Sequence, residues 1–161
     1  PKKFEPLGVE FITGSISQQT LLEVLEVTMA KDKPKRVLHL IDQPDGKMIP
    51  SVNFTALHGV LSTLKLNETG DTKQARAVRN PDVAPHLKLL DFGGHGYGLV
   101  TATADQLSTE FVCIPRPFER SEQPDGGPVS YRVVHRTQLW KAGEAPKLEQ
   151  EILEGDPQYC I

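Results

Sequence analysis

The sequence has no apolar run approaching the roughly 18 residues that a membrane-crossing helix needs. It also has no basic excess: 18 Lys and Arg stand against 21 Asp and Glu, for a formal net charge of −3. A chain without surplus cations cannot neutralise a phosphate backbone, so nucleic acid is excluded as an expected partner. Cysteine is scarce. Cys113 and Cys160 are too few for a disulfide scaffold, and neither has the neighbours of a zinc site. Cys113 lies in an apolar run, where a buried free thiol is the usual state, and spacing alone does not decide whether it pairs with Cys160. An initiator Met is absent, and no apolar signal core follows Pro1-Lys2-Lys3-Phe4-Glu5-Pro6. A chain that opens at Pro1 reads as processed or as a fragment.

What remains is an ordinary globular composition. Hydrophobic residues make up 38% of the 161 positions and charged residues 24%, which argues against global disorder. Thirteen Gly and thirteen Pro imply many turns. A chain of this length buries about two-thirds of its unfolded surface, enough for one real core.

Leu7 to Thr13 is β-branched and aromatic and reads as a strand, closed by the turn Gly14-Ser15-Ile16-Ser17. Gln18 to Ala30 reads as a helix, with Ser17 as N-cap and Leu21, Leu22, Leu25 and Met29 on one face. Lys31 to Lys35 breaks it. Val37 to Ile41 is a short apolar run, and Asp42 to Lys47 is a turn. Val52 to Leu66 reads as one helix with Leu57, Val60, Leu61 and Leu64 on its apolar face, and Thr72 to Val78 as a shorter one. From Leu87 onward strand signals take over: 87–92, 97–103, 107–114, 131–140 and 148–153, separated by hairpin-type turns. Helices first and an antiparallel meander second is an α+β pattern. No repeat or linker interrupts it, so residues 1–161 read as a single segment. The Pro-rich stretch from Pro115 to Pro128 reads as a long hairpin loop.

The chemistry-bearing residues form no complete catalytic set. Gly93-Gly94-His95-Gly96-Tyr97-Gly98 has the glycines of a phosphate loop, but β-branched residues follow where a phosphate cradle needs a helix N-terminus, so it reads as a turn. His86, Asp91 and His95 are metal-capable, yet His86 and Asp91 are an odd number apart and would face opposite sides of a strand. His58 lies between apolar helical positions near Asn53 and has two open readings: a packed residue, or one member of a composite site. Ser15 and Ser17, at a strand-to-helix turn, are either caps or contacts for an anion at the helix start. Arg116, Arg120, Arg132 and Arg136, with Glu110, Glu119 and Glu122, read as a solvated face of mixed charge. Tyr97, Phe111 and Trp140 read as sheet-packing residues. Asn53-Phe54-Thr55 and Asn67-Glu68-Thr69 match the glycosylation pattern, a match that would be accidental in a bacterial protein.

Three segments, taken in order and spacing, resemble the C-terminal portion of the PhoD-like alkaline phosphatase family of metallophosphoesterases. They are Gly8 to Ser17; Asn80-Pro81 through Pro85-His86-Leu87-Lys88 to Gly96-Tyr97-Gly98; and Leu107 to Pro117 with Tyr131-Arg132-Val133-Val134 and Leu139-Trp140. The resemblance covers nearly the whole chain. It implies the C-terminal part of an α/β metallophosphoesterase sandwich, in a secreted bacterial enzyme that is periplasmic or extracellular and hydrolyses phosphate mono- or diesters. A phospholipase-D-like action on phospholipid diesters is one alternative, and a non-catalytic β-rich binding or structural module is another. The family's iron and calcium would be held upstream, with no metal ligand on this chain. The implied partners are the N-terminal portion of the same enzyme and a phosphoester substrate. Ser15, Ser17, Asn53 and His58 are the residues that would stand near the composite site.

Overall fold

A computed structural model describes residues 4–29, 31, 36, 38–42, 48–116, 120, 122–123 and 128–161 of the chain. The breaks expected within 32–35 and 43–47, the turn at 124–127, and the charged or loop positions Pro117, Phe118 and Glu119 lie outside the described residues. The fold is α+β, with helices in the first half and a four-stranded antiparallel sheet in the second. The chain divides into two compact units. One comprises residues 1–18 and 94–157, the other residues 19–93 and 158–161.

In the helical unit, α1 spans Leu21–Thr28. Its cap is Thr20 and not Ser17. The Thr20 hydroxyl accepts from the Glu23 N–H and the Glu23 carboxylate accepts from the Thr20 N–H, a reciprocal box that satisfies two otherwise orphaned donors. The two-residue strands β1 (Ile41–Asp42) and β2 (Met48–Ile49) pair antiparallel. The helix expected from Val52 to Leu66 is in fact two, α2 (Ser51–His58) and α3 (Val60–Thr69). Gly59 divides them at φ +90°, a backbone conformation closed to most side chains. α4 spans Thr72–Ala77, capped by the Asp71 carboxylate on the N–H groups of Lys73 and Gln74.

The break at Gly59 resets the helical phase, and the expected apolar face of α3 is inverted. The helix buries Ser62, Thr63 and Leu66, and leaves Val60, Leu61 and Leu64 at 47%, 71% and 46% exposure. Burying hydroxyls is tolerated because each is bonded. Ser62 donates to the Ala75 carbonyl at 2.7 Å, Thr55 and Thr63 share a hydrogen bond at 2.8 Å, and Thr55 reaches the Leu38 carbonyl at 2.7 Å. The core of this unit is Phe54, Leu66 and Ala75, with Ile41 and Tyr159 packed against it.

In the sheet unit, β3 (His95–Ala102), β4 (Gln106–Ile114), β5 (Tyr131–Gln138) and β6 (Leu148–Gly155) pair in sequence order. β4 and β5 are antiparallel neighbours, so residues 115–130 connect a hairpin. Register places Thr109 opposite His135, and His135 opposite Gln150. Alternation puts one set of residues on each face. Thr109, Phe111, Val133, His135 and Thr137 share one face. Glu110, Arg132, Arg136 and Glu151 take the other, where Arg132 bonds Glu110 and Arg136 bonds Glu151, both at 2.7 Å. Of the residues read as a mixed-charge face, Glu110, Arg132 and Arg136 lie there.

Two expected strands are not strands. Among the described residues, Leu7 to Thr13 joins no ladder. Phe11 lies instead against the face of the sheet, its ring centroid 6.3 Å from Phe111 and 6.2 Å from His135. Leu87 to Phe92 is also irregular. Its backbone is held from outside: the Leu90 N–H donates to the Cys160 carbonyl and the Phe92 N–H to the Asn53 side chain. Groups satisfied in that way have no need of a neighbouring strand.

Candidate functional site

The most elaborate polar arrangement in the helical unit centres on Asn53. This residue is fully buried on α2, and its amide is committed in every direction the structure offers. Its oxygen accepts from the Phe92 N–H at 3.0 Å. Its nitrogen donates to the Asp91 carboxylate at 3.3 Å and to the Cys160 sulfur at 3.4 Å. The Asp91 carboxylate in turn accepts from the Gly93 N–H at 2.9 Å, closing a tight turn. Asn53 thus fastens the 91–93 loop and the 158–161 segment to one helix. Its burial also closes Asn53-Phe54-Thr55 to glycosylation in the folded protein, since an acceptor amide must reach solvent.

His58 closes the same helix and is also buried. Its ring meets Phe54 edge-on at 4.9 Å, and Phe54 is covered on another side by Tyr159 and by the Arg76 guanidinium. Arg76 is anchored by donating to the Gln158 carbonyl. Burial chiefly, and then the nearby Arg76 charge, push the His58 imidazole below its ordinary value, against a hydrogen bond with the Ile161 backbone that favours the cation. The Nε2 atom is buried without a partner. A neutral ring packed in this way serves the fold.

The sign for stability follows from where the proton binds. As pH falls below the ordinary imidazole value of 6.5, the unfolded chain takes up a proton that folded His58 resists. The stability is intact above 6.5 and is lost progressively as pH descends toward the folded value. Thermal denaturation from pH 8 to 5 is expected to show a falling melting temperature below 6.5, with a shallower fall in His58→Leu. A melting temperature that is flat through this range would contradict the assignment.

Ser15 and Ser17 belong to the sheet unit. The Ser15 hydroxyl accepts from the N–H groups of Ser17 and Gln18 at 3.2 and 2.9 Å, so it closes a local turn within residues 15–18. Cys113 and Cys160 are both buried free thiols.

Among the described residues, no three His, Cys, Asp or Glu side chains gather as a metal ion requires, and the stretch containing His86, Asp91 and His95 is no exception. No helix among the described residues is long and apolar enough to cross a membrane.

Sequence reasoning named Asn53 and His58 but missed Asp91 and Cys160 as partners of Asn53. It also passed over His135 and Thr109, the polar pair buried in the sheet. The only local signal for that pair was a polar residue at an inward position of each strand. No family model, curated protein or solved structure matches the chain.

Proposed function

We propose that the chain is the C-terminal part of a PhoD-like metallophosphoesterase that hydrolyses phosphate mono- or diesters. In this reading it supplies scaffold beside an active site whose iron and calcium ligands lie in another part of the enzyme. The observation that carries the reading is the inverted face of α3. Val60, Leu61 and Leu64 form an apolar stripe at helical spacing, open to solvent, while the opposite side of the helix holds the hydroxyls. A helix normally turns such a stripe toward protein, and an uncovered one marks a surface that a larger assembly covers. Leu7 and Ile12, exposed within a β-patterned run that joins no ladder, point the same way. The resemblance of the ordered segments from Gly8 to Trp140 is what suggests the family, and the uncovered stripe is consistent with a covering partner.

The test is the intact mass of the protein purified from its own source, under native and denaturing conditions, with metal analysis and hydrolysis of p-nitrophenyl phosphate and its bis-ester on the same sample. The expected result is a larger polypeptide that carries these residues or separates from them on denaturation, with iron, calcium and phosphoesterase activity following it. A preference for the bis-ester would identify a diesterase. A lone, metal-free, inactive and stably folded chain would sink the proposal and leave a β-rich module in its place.

A further inference from the structure

We propose that His135 is the sensor of a pH-operated latch in the sheet unit, whose protonation releases Phe11 and the surrounding residues 7–13 from the sheet face. The inference does not depend on the functional reading above.

His135 and its cross-strand neighbour Thr109 are 2% and 1% exposed. Each has a buried polar atom without a partner, Nδ1 of the imidazole and Oγ1 of the threonine. The other ring nitrogen, Nε2, lies 2.9 Å from the Gln150 amide nitrogen. With the Gln150 amide placed nitrogen-first the N–H donates and Nε2 accepts, an arrangement that assigns the single proton of the neutral ring to Nδ1. Above the ring are Phe11 at 6.2 Å and Phe111 at 5.6 Å.

Protonation puts this arrangement in conflict. The imidazolium would carry two N–H donors. One would confront the donating amide of Gln150, which must flip, and the other would meet nothing. Such a charge needs an acceptor or water.

None of the groups facing the ring supplies a charge. β4 presents Thr109 and Phe111, β6 presents Gln150, and the nearest same-face positions of β5 are Val133 and Thr137. The N-terminal segment presents Phe11, while the Glu10 side chain is exposed. Cys113 and Tyr131 pair two register positions further along the face. The charged residues Glu110, Arg132, Arg136, Glu149, Glu151 and Glu154 occupy the alternate register positions, on the other side of the sheet. Desolvation is accordingly the one influence that lowers the ring's basicity.

The element that can yield is Phe11. Strands β4, β5 and β6 are tied by continuous ladders, whereas residues 7–13 join none. Lifting Phe11 uncovers the ring it packs against without breaking a backbone pair of the sheet. Because the neutral ring favours the closed form, the released population rises by up to about tenfold per pH unit as pH falls from 6.5 toward the folded value.

The test uses the full chain labelled with 4-fluorophenylalanine, with Phe11→Leu assigning the Phe11 resonance. Imidazole signals are followed in parallel by NMR from pH 8 to 5. The expected result is a Phe11 resonance moving to its solvent-exposed position with the His135 midpoint, below 6.5, while far-UV circular dichroism stays constant. His135→Gln should make the Phe11 resonance indifferent to pH. Phe11→Ala should move the His135 midpoint up toward 6.5, the reciprocal effect that linkage demands. A Phe11 signal that ignores His135 titration would overturn the latch, as would a transition that survives in His135→Gln or coincides with global unfolding. Where His135→Gln does not fold, the two wild-type midpoints decide, and disagreement between them is fatal to the proposal.

Discussion

Gly96→Ala is expected to cost the protein more than about 3 kcal/mol, enough to unfold the sheet unit in a marginally stable chain. Gly96 sits at φ +153°, near the start of β3, and an added Cβ would run into the carbonyl of Val112 on β4. The obstacle is backbone, held by the ladder on both sides, so no rotamer change relieves it. Two residues along, a Cβ on Gly98 would find its nearest neighbours, Thr13 and Phe111, at 3.8 and 3.9 Å, which is ordinary contact. Gly98→Ala should therefore stay within about 1 kcal/mol of the parent. Urea titration of the two variants side by side checks the contrast. Equal midpoints would mean that β3 does not approach β4 as described.

Asn53→Asp should be the most damaging single-atom change in the helical unit. The substitution exchanges an amide nitrogen for an oxygen and leaves the volume untouched. It removes the donor to Asp91 and Cys160 and sets a second carboxylate against the first in a fully buried position. Breaking a buried bonded polar group in this way costs about 3–5 kcal/mol. Asn53→Ala should cost about 2–4 kcal/mol, from the orphaned Phe92 N–H and the small cavity together. The order is the diagnostic outcome. If alanine proves worse than aspartate, the amide is there for its volume and not for its hydrogen bonds.

The sheet was legible in the sequence because its information is local. Tyr97 to Thr103, Leu107 to Ile114, Tyr131 onward and Leu148 to Leu153 are β-rich runs between turn residues, and each of the first three pairs with its successor. A hairpin needs no distant partner to be recognised. The run from Leu7 to Thr13 carries the same signal, but a strand exists only where a ladder receives it, and here Phe11 docks on a face. The single helix read from Val52 to Leu66 failed at one residue. Apolar periodicity carries no record of the phase jump that Gly59 introduces, so Leu61 and Leu64 were placed inside and stand outside. Ser17 reads as a cap by residue type, whereas the actual cap, Thr20, has Glu23 at the spacing of a capping box.

The Asn53 bracket was beyond reach for a different reason. Its partners stand 38 and 107 residues away, and nothing in the neighbourhood of Asn53 announces them. His58 falls between apolar helical positions, and a packed histidine was one of its two open readings. Asp91 read as metal-capable, yet its carboxylate serves the Gly93 turn and the Asn53 amide.

The path of the chain through the two units fixes an order of events on the ribosome. Phe54 waits for Tyr159, Asn53 for Cys160, and Arg76 for Gln158, 82 positions further on. The hairpins of residues 95–155 lie between, and each can zip as soon as its second strand emerges. The earlier-synthesised helices must therefore stand partly assembled, with Phe54 uncovered, while the later-synthesised sheet forms ahead of them. During that interval the nascent helices present a hydrophobic surface to chaperones. A ribosome pausing before residues 158–161 have emerged from it would prolong this exposure.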